Sequence, residues 1–161
     1  MVGALARLNY NFQKINPRAK AIFRETNLVL PLINPFYNIF AQAIEMVHCV
    51  EDTQRLLEKL EKNGIEPEKN AVEIKAGKGY GAIEAPRGTL FYYYEVGDDG
   101  LIENANIITP TSQNLARLER DLTEYLPGLT KKGVKLCQKD CQNLIKMLVR
   151  AYDPCLTCAT H

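Results

Sequence analysis

No stretch of this chain approaches the roughly 20 consecutive apolar residues that a membrane-spanning helix needs, so the sequence offers no transmembrane segment. Charge of one sign is missing too. A formal net charge of +1 gives a nucleic-acid or acidic-membrane partner no electrostatic footing. The start, Met1-Val2-Gly3-Ala4-Leu5-Ala6-Arg7, lacks the charged-then-apolar layout of a secretory signal. Cysteines number five, odd and irregularly spaced, which argues against a secreted disulfide scaffold. These absences predict a reducing, cytoplasmic setting. There is no internal repeat and no low-complexity tract. What is left is an ordinary globular composition over 161 residues, 46% hydrophobic and 24% charged. That is enough for a single domain, residues 1–161, with its own core.

The most informative segment is the tail, Asp153-Pro154-Cys155-Leu156-Thr157-Cys158-Ala159-Thr160-His161. Two thiols stand three apart and an imidazole follows three later. Thiolate sulfur favours nickel, copper, zinc or iron over magnesium or calcium. The alternatives are a redox pair and two small buried hydrophobes near a frayed end. A thioredoxin-type CxxC sits at a helix start after a strand, which this one does not. A structural zinc site needs a fourth ligand, and Cys137 or Cys141, at i and i+4, could supply it. Core packing is the favoured reading for those two cysteines and for His48. The charges between Glu51 and Lys62 read as a solvated helix face.

Periodicity predicts short helices over 5–15 and 17–24, the second with Asn16 as cap and Pro17 at its first position. Asn34-Pro35 opens a long helix of about 28 residues that Asn63-Gly64 ends. Its stripe is Phe36, Phe40, Ala43, Val47, Val50, Leu57 and Leu60. Residues 65–70 read as connector. The run Ala76 to Gly81 is glycine-rich but lacks a following Lys-Ser/Thr helix start, so it is not a nucleotide loop. Gly88–Val96 and Leu101–Ile108 predict a β-hairpin across a Gly97-Asp98-Asp99-Gly100 turn. Tyr92, Tyr93 and Tyr94 should alternate between core and surface along it. A further helix starts at Thr109 and breaks at Leu126-Pro127-Gly128. The last runs from Val134 to Arg150, with Leu136, Leu144, Met147 and Leu148 inward, and Asp153-Pro154 ends it. The fold class is therefore α+β and predominantly helical: a helix bundle with one β-hairpin and a C-terminal metal-binding tail. Antiparallel pairing should bring Arg87, at the start of the hairpin, near Thr111, just past its end. A guanidinium on that constrained turn can donate to an anion or a carboxylate.

Taken together, the motifs resemble the large, catalytic subunit of nickel–iron hydrogenases, most closely its cytosolic multi-subunit branch. The residues that carry the resemblance are Val2 to Asn9, Glu45-Met46-Val47-His48-Cys49, Glu84-Ala85-Pro86-Arg87-Gly88-Thr89-Leu90, the helix start from Thr109 to Asn114, and the tail Asp153 to His161. The resemblance implies reversible heterolytic cleavage of dihydrogen at a nickel–iron centre with cyanide and carbon monoxide ligands. It implies Cys155 as a terminal nickel ligand and Cys158 as a bridge to iron. Arg87 would hang over the metals, held by Asp153, and bond one cyanide. Thr111 would meet the other, and Pro86 would line a dry pocket. His161, with the Ile107 carbonyl, would hold a separate magnesium or iron ion.

The family uses four cysteines, and no second CxxC stands in this sequence. The resemblance therefore implies the C-terminal half of a large subunit, completed by a separate N-terminal chain with the first CxxC. A small subunit would carry iron–sulfur clusters, and further subunits would accept electrons. Two competing functions are a non-catalytic interaction subunit of the same fold and a small structural zinc-binding domain.

Overall fold

The structure, a computed structural model, describes residues 1–65, 75–131 and 138–159, with backbone alone for 129–131 and 138. The connector expected over 65–70 falls almost wholly outside these, as do Val134, Leu136, Cys137 and His161.

The core is built by the first three helices. Ala4–Asn11 forms α1, which a 3-10 turn over Phe12–Lys14 extends. Pro17–Glu25 forms α2, with the proline in the first turn, where a missing N–H costs nothing. Asn16 does not cap this helix with its side chain. Its amide donates instead to the His48 carbonyl at 3.0 Å, and its backbone N–H donates to His48 Nδ1 at 3.2 Å. The capping role passes to Glu51, whose carboxylate accepts from the N–H groups of Arg18 and Ala19 at 3.2 and 3.1 Å. A carboxylate at that end also meets the positive pole of the helix. Glu51 is thus a cap for another helix, not a solvated charge.

Asn34 accepts from the Phe36 N–H at 3.0 Å and starts a 3-10 turn, Pro35–Tyr37, that leads into α3, Asn38–Asn63. Gly64, at φ 73°, closes α3 by donating to the Leu60 carbonyl at 2.8 Å. Ala41 and Ile44 enter the core beside Leu5, Leu8, Ile15, Ala19, Phe23 and Leu32, while Phe40 and Val47 pack on its edge. Phe23 touches both Phe12 and Phe40, ring centroids 4.8 and 6.0 Å away. The expected stripe is buried only this far. Ala43 faces outward. Val50 and Leu57 are 69% and 57% exposed, because the second half of α3 runs past the helices that cover its first half.

The sheet has three strands where the pattern suggests two. Gly77–Ala85 forms β1, Gly88–Val96 β2 and Ile102–Ile108 β3, in the antiparallel order β1-β2-β3. The glycine-rich run is strand, paired with β2 from Gly77↔Val96 to Ala85↔Gly88. Gly79 and Gly81 oppose Tyr94 and Tyr92, whose rings stack 6.1 Å apart. Tyr93 meets Tyr80 at 5.0 Å. The three tyrosines do not alternate between core and surface; all are half-buried.

Pro110–Lys131 forms α4 and continues through Pro127 where a break was expected. A proline removes one helical hydrogen bond, and a long helix can absorb that locally. Gln138–Ala151 forms α5 and Leu156–Ala159 a single-turn α6. Leu148 is buried, but Met147 is 52% exposed and faces away from the core. The buried Asn38 ties the ends together. It accepts from the Leu5 N–H at 3.2 Å and donates to the Ala151 carbonyl at 2.9 Å.

Candidate metal centre

Three segments far apart in sequence meet at one place. The first is the two-residue turn Pro86-Arg87 between β1 and β2. Its backbone is hemmed in. Gly88 has φ 139°, and a Cβ there would stand 2.7 Å from Val2 Cγ2 and 3.1 Å from Pro110 Cβ. Gly3 has φ 103°, and a Cβ there would stand 2.6 Å from the Arg87 carbonyl oxygen. Both positions need glycine, for conformation and for space.

The second segment is the tail. Asp153 takes the left-handed conformation, φ 49°, which aspartate tolerates better than most residues. That turns the chain out of α5, and Pro154 prevents its continuation. Arg87 grips this bend. Its Nε donates to the Asp153 carbonyl at 2.6 Å and its Nη2 to Asp153 Oδ1 at 3.1 Å. Gln42 of α3 donates to the other carboxylate oxygen at 3.1 Å. A carboxylate held at both oxygens fixes the guanidinium plane as well as its charge.

The third segment is the start of α4. Thr109 caps it, its hydroxyl accepting from the Ser112 N–H at 3.3 Å. Thr111, buried, accepts the Cys155 N–H on its hydroxyl at 3.3 Å. Asn114 accepts the Val2 N–H at 2.8 Å, so the chain's first residues lie against this helix too. Arg87 and Thr111 therefore flank the same few residues, Asp153 to Cys155.

Cys155 immediately precedes the single turn of α6 and Cys158 lies within it. Their Cα atoms are 5.3 Å apart and their sulfurs are joined as a disulfide. The Cys158 N–H donates to the Cys155 carbonyl at 3.1 Å, which keeps both side chains on one side of the turn. Both residues are half-buried. The metal-binding form is the dithiolate, reached by two-electron reduction. In that form the pair fits two sulfur corners of a nickel or iron site. Among the described residues no group of three or more Cys, His, Asp or Glu could hold a metal ion. Cys141 does not complete a zinc set, and Cys137 and His161 lie outside the described residues. Pro86 is exposed on its turn. Ile107 stands on β3, in register with Tyr92 and 39% exposed.

Arg7 stands in a segment that carries the resemblance, but sequence reasoning gave it no role. It forms a two-pronged ion pair with Glu45 of α3, 2.6 Å on each prong. It also pairs with Glu84 and donates to the carbonyls of Ala85 and Pro86 at 3.0 and 2.8 Å. The hydrogen bonds it donates to Glu45 push its pKa above the ordinary value, so the guanidinium stays charged. The available signal was a lone arginine in the otherwise apolar run Val2 to Leu8. Beside it opens a cavity of about 790 Å³, lined by Arg7, Glu45, His48, Cys49, Glu84 and Pro86 among others. Behind the tail, the Tyr152 hydroxyl donates to Asp121, which Arg117 also holds at 2.9 Å. Burial and then that hydrogen bond push the Tyr152 phenol well above its ordinary value.

A family model described as nickel-dependent hydrogenase matches residues 1–161. The chain is 40% identical over 162 residues to sulfhydrogenase 1 subunit alpha of Pyrococcus furiosus, covering 100% of this chain and 36% of that protein. It is 34% identical to the NAD-reducing hydrogenase HoxS subunit beta of Cupriavidus necator, over 99% of this chain and 33% of that one. Among solved structures, an NAD+-reducing [NiFe]-hydrogenase in its H2-reduced state superposes with a TM-score of 0.81 at 37% identity, over 99% of this chain and 35% of that chain. The chain thus spans about a third of the length of the relatives it matches.

Proposed function

The chain belongs to the nickel-dependent hydrogenase family, as a C-terminal part of the large subunit, and from that premise we propose that it forms one side of a nickel–iron active site. The reaction is the reversible heterolytic cleavage of dihydrogen. The observation that carries the reading is the convergence of the Arg87 turn, the Thr111 helix start and the Asp153–Cys158 tail at one point.

Cys155 and Cys158, reduced, would supply two of the four sulfur ligands of the centre, Cys158 in the bridging role. When bound, a nickel–iron centre with cyanide and carbon monoxide ligands supplies the redox-active, Lewis-acidic metals at which dihydrogen is cleaved. The remaining work belongs to side chains. Arg87 spends two of its five N–H groups on Asp153 among the described residues. Its free N–H groups would hold a cyanide of that centre and place a fixed positive charge at the reacting face. Asp153 keeps that fork from swinging away. The Thr111 hydroxyl, which accepts the Cys155 N–H, would donate to the second cyanide, and Pro86, exposed in this chain, would help keep water out once the rest of the large subunit covers it. His161 and the Ile107 carbonyl would hold a separate magnesium or iron ion.

The other two sulfurs come from the N-terminal part of a large subunit, whichever polypeptide carries it. Electrons leave through iron–sulfur clusters on a small subunit toward further acceptor subunits. Among the described residues no helix is long and apolar enough to cross a membrane, which suits the cytoplasmic setting proposed.

Cys158→Ser in the purified complex tests the ligand assignment. Serine keeps the shape and removes the soft sulfur, so hydrogen uptake should disappear. Retained uptake would contradict a bridging role. An assembled complex free of nickel would instead favour a non-catalytic subunit.

A further inference from the structure

We infer that Arg7 is a positioning residue for Arg87, acting through the backbone of the turn that presents it. The inference rests on the active-site reading above. The geometry is specific. Arg7 donates to two consecutive carbonyls of that turn, Ala85 at 3.0 Å and Pro86 at 2.8 Å. It pairs with Glu84 at the turn's entry. Its remaining hydrogen bonds go to Glu45, two at 2.6 Å, which moors the guanidinium to α3. Arg7 and Glu45 side chains are each only 20% exposed, so the pair is shielded from competing water. The next carbonyl, that of Arg87, lies so close to Gly3, one helical turn before Arg7, that no side chain would fit there.

Two consecutive carbonyls are thus held by Arg7, and the third lies close against Gly3 of the same short segment. Holding these carbonyls fixes the backbone from which the Arg87 side chain reaches Asp153. Asp153 is in turn held by Gln42, four residues after Asn38 on the same α3 that carries Glu45. One rigid helix therefore references both partners of the Arg87–Asp153 grip: the turn through Glu45 and Arg7, the tail through Gln42. A lysine at position 7 keeps the charge but cannot bond Glu45 twice and reach two carbonyls as well. The turn would then drift relative to the tail while the core stays intact.

The test uses the purified, metal-loaded hydrogenase complex. R7K should lower kcat roughly tenfold with little change in KM for dihydrogen, at unchanged nickel and iron content. The infrared stretching bands of the cyanide ligands should shift in the direction that R87K shifts them. In an R87K background, R7K should add less than about a twofold further loss, because the two act as one unit. E84Q, which keeps the Arg7–Glu45 mooring, should give a smaller loss in the same sense and serves if R7K does not assemble. R7K at wild-type turnover with unmoved bands overturns the inference, as do losses that multiply in the double variant. If R87K itself works normally, the active-site reading falls and takes this inference with it. R87K impaired beside a normal R7K removes this inference alone.

Discussion

At the scale of single residues, the site depends on groups that cannot be exchanged for chemically similar ones. Arg87 holds Asp153 with a planar fork whose two bonds run to different atoms, a carbonyl and a carboxylate. A lysine supplies a point charge and can satisfy one of them well. R87K should therefore lower hydrogen turnover by about a hundredfold or more, measured as kcat in the assembled complex. Tyr152 gives a pH test with a definite sign. Its folded pKa is raised by burial and by the bond to Asp121, above an ordinary value of 10.0. As pH passes through that ordinary value, the unfolded state loses the phenolic proton and the native state keeps it. The native state then binds more protons, so stability falls as pH rises. Thermal melts should be level up to roughly pH 9 and decline above it, and Y152F should flatten that decline. An unchanged alkaline slope in Y152F would refute this assignment.

At the scale of elements, the sequence showed most of what local physics controls. Proline at a helix start, glycine at its end and helical spacing locate α1, α2, α3 and the beginning of α4. It was weakest where tertiary context wins. β1 was hidden because glycine has little strand preference of its own; the tyrosines of β2 make its pairing worthwhile. The break expected at Pro127 fails because one lost hydrogen bond does not end a long helix. The Asn16 cap fails because His48 competes for that amide and Glu51 is at hand to replace it. Of the candidate site, the Arg87 turn and the cysteine tail were legible as motifs. The roles of Arg7, Glu45 and Gln42 were not, although the first two stand in segments that carry the resemblance, since those roles lie in contacts between residues at least 38 apart in sequence. The approach of the first residues to that turn predicts its own variant. G3A places a methyl group against the Arg87 carbonyl at a φ that alanine resists. It should destabilise the assembled protein by about 1–3 kcal/mol in chemical denaturation. Wild-type stability in G3A would mean that the two backbones do not meet.

At the scale of the whole molecule, the distribution of apolar surface matches a part and not a whole. Val50, Leu56, Leu57 and Leu60 project from the second half of α3, and Met46 is exposed farther back along it. Patches of this kind mark surfaces that another body covers. The chain spans about a third of its relatives' length, so there is ample large-subunit sequence to cover them. Expressed without that complement, the chain should self-associate in light scattering. Co-expressed with it, the chain should elute as a defined complex. A well-behaved monomer on its own would argue against a shared core.

The central claim is that Cys155 and Cys158 hold nickel and iron together with sulfurs from the rest of the large subunit. Metal analysis of the native co-purified complex tests it most directly. One nickel per copy of this chain, with iron beyond that of any clusters, and loss of the nickel in Cys155→Ser, is the expected result. A complete complex that contains the N-terminal part of the large subunit and yet carries no nickel would contradict it.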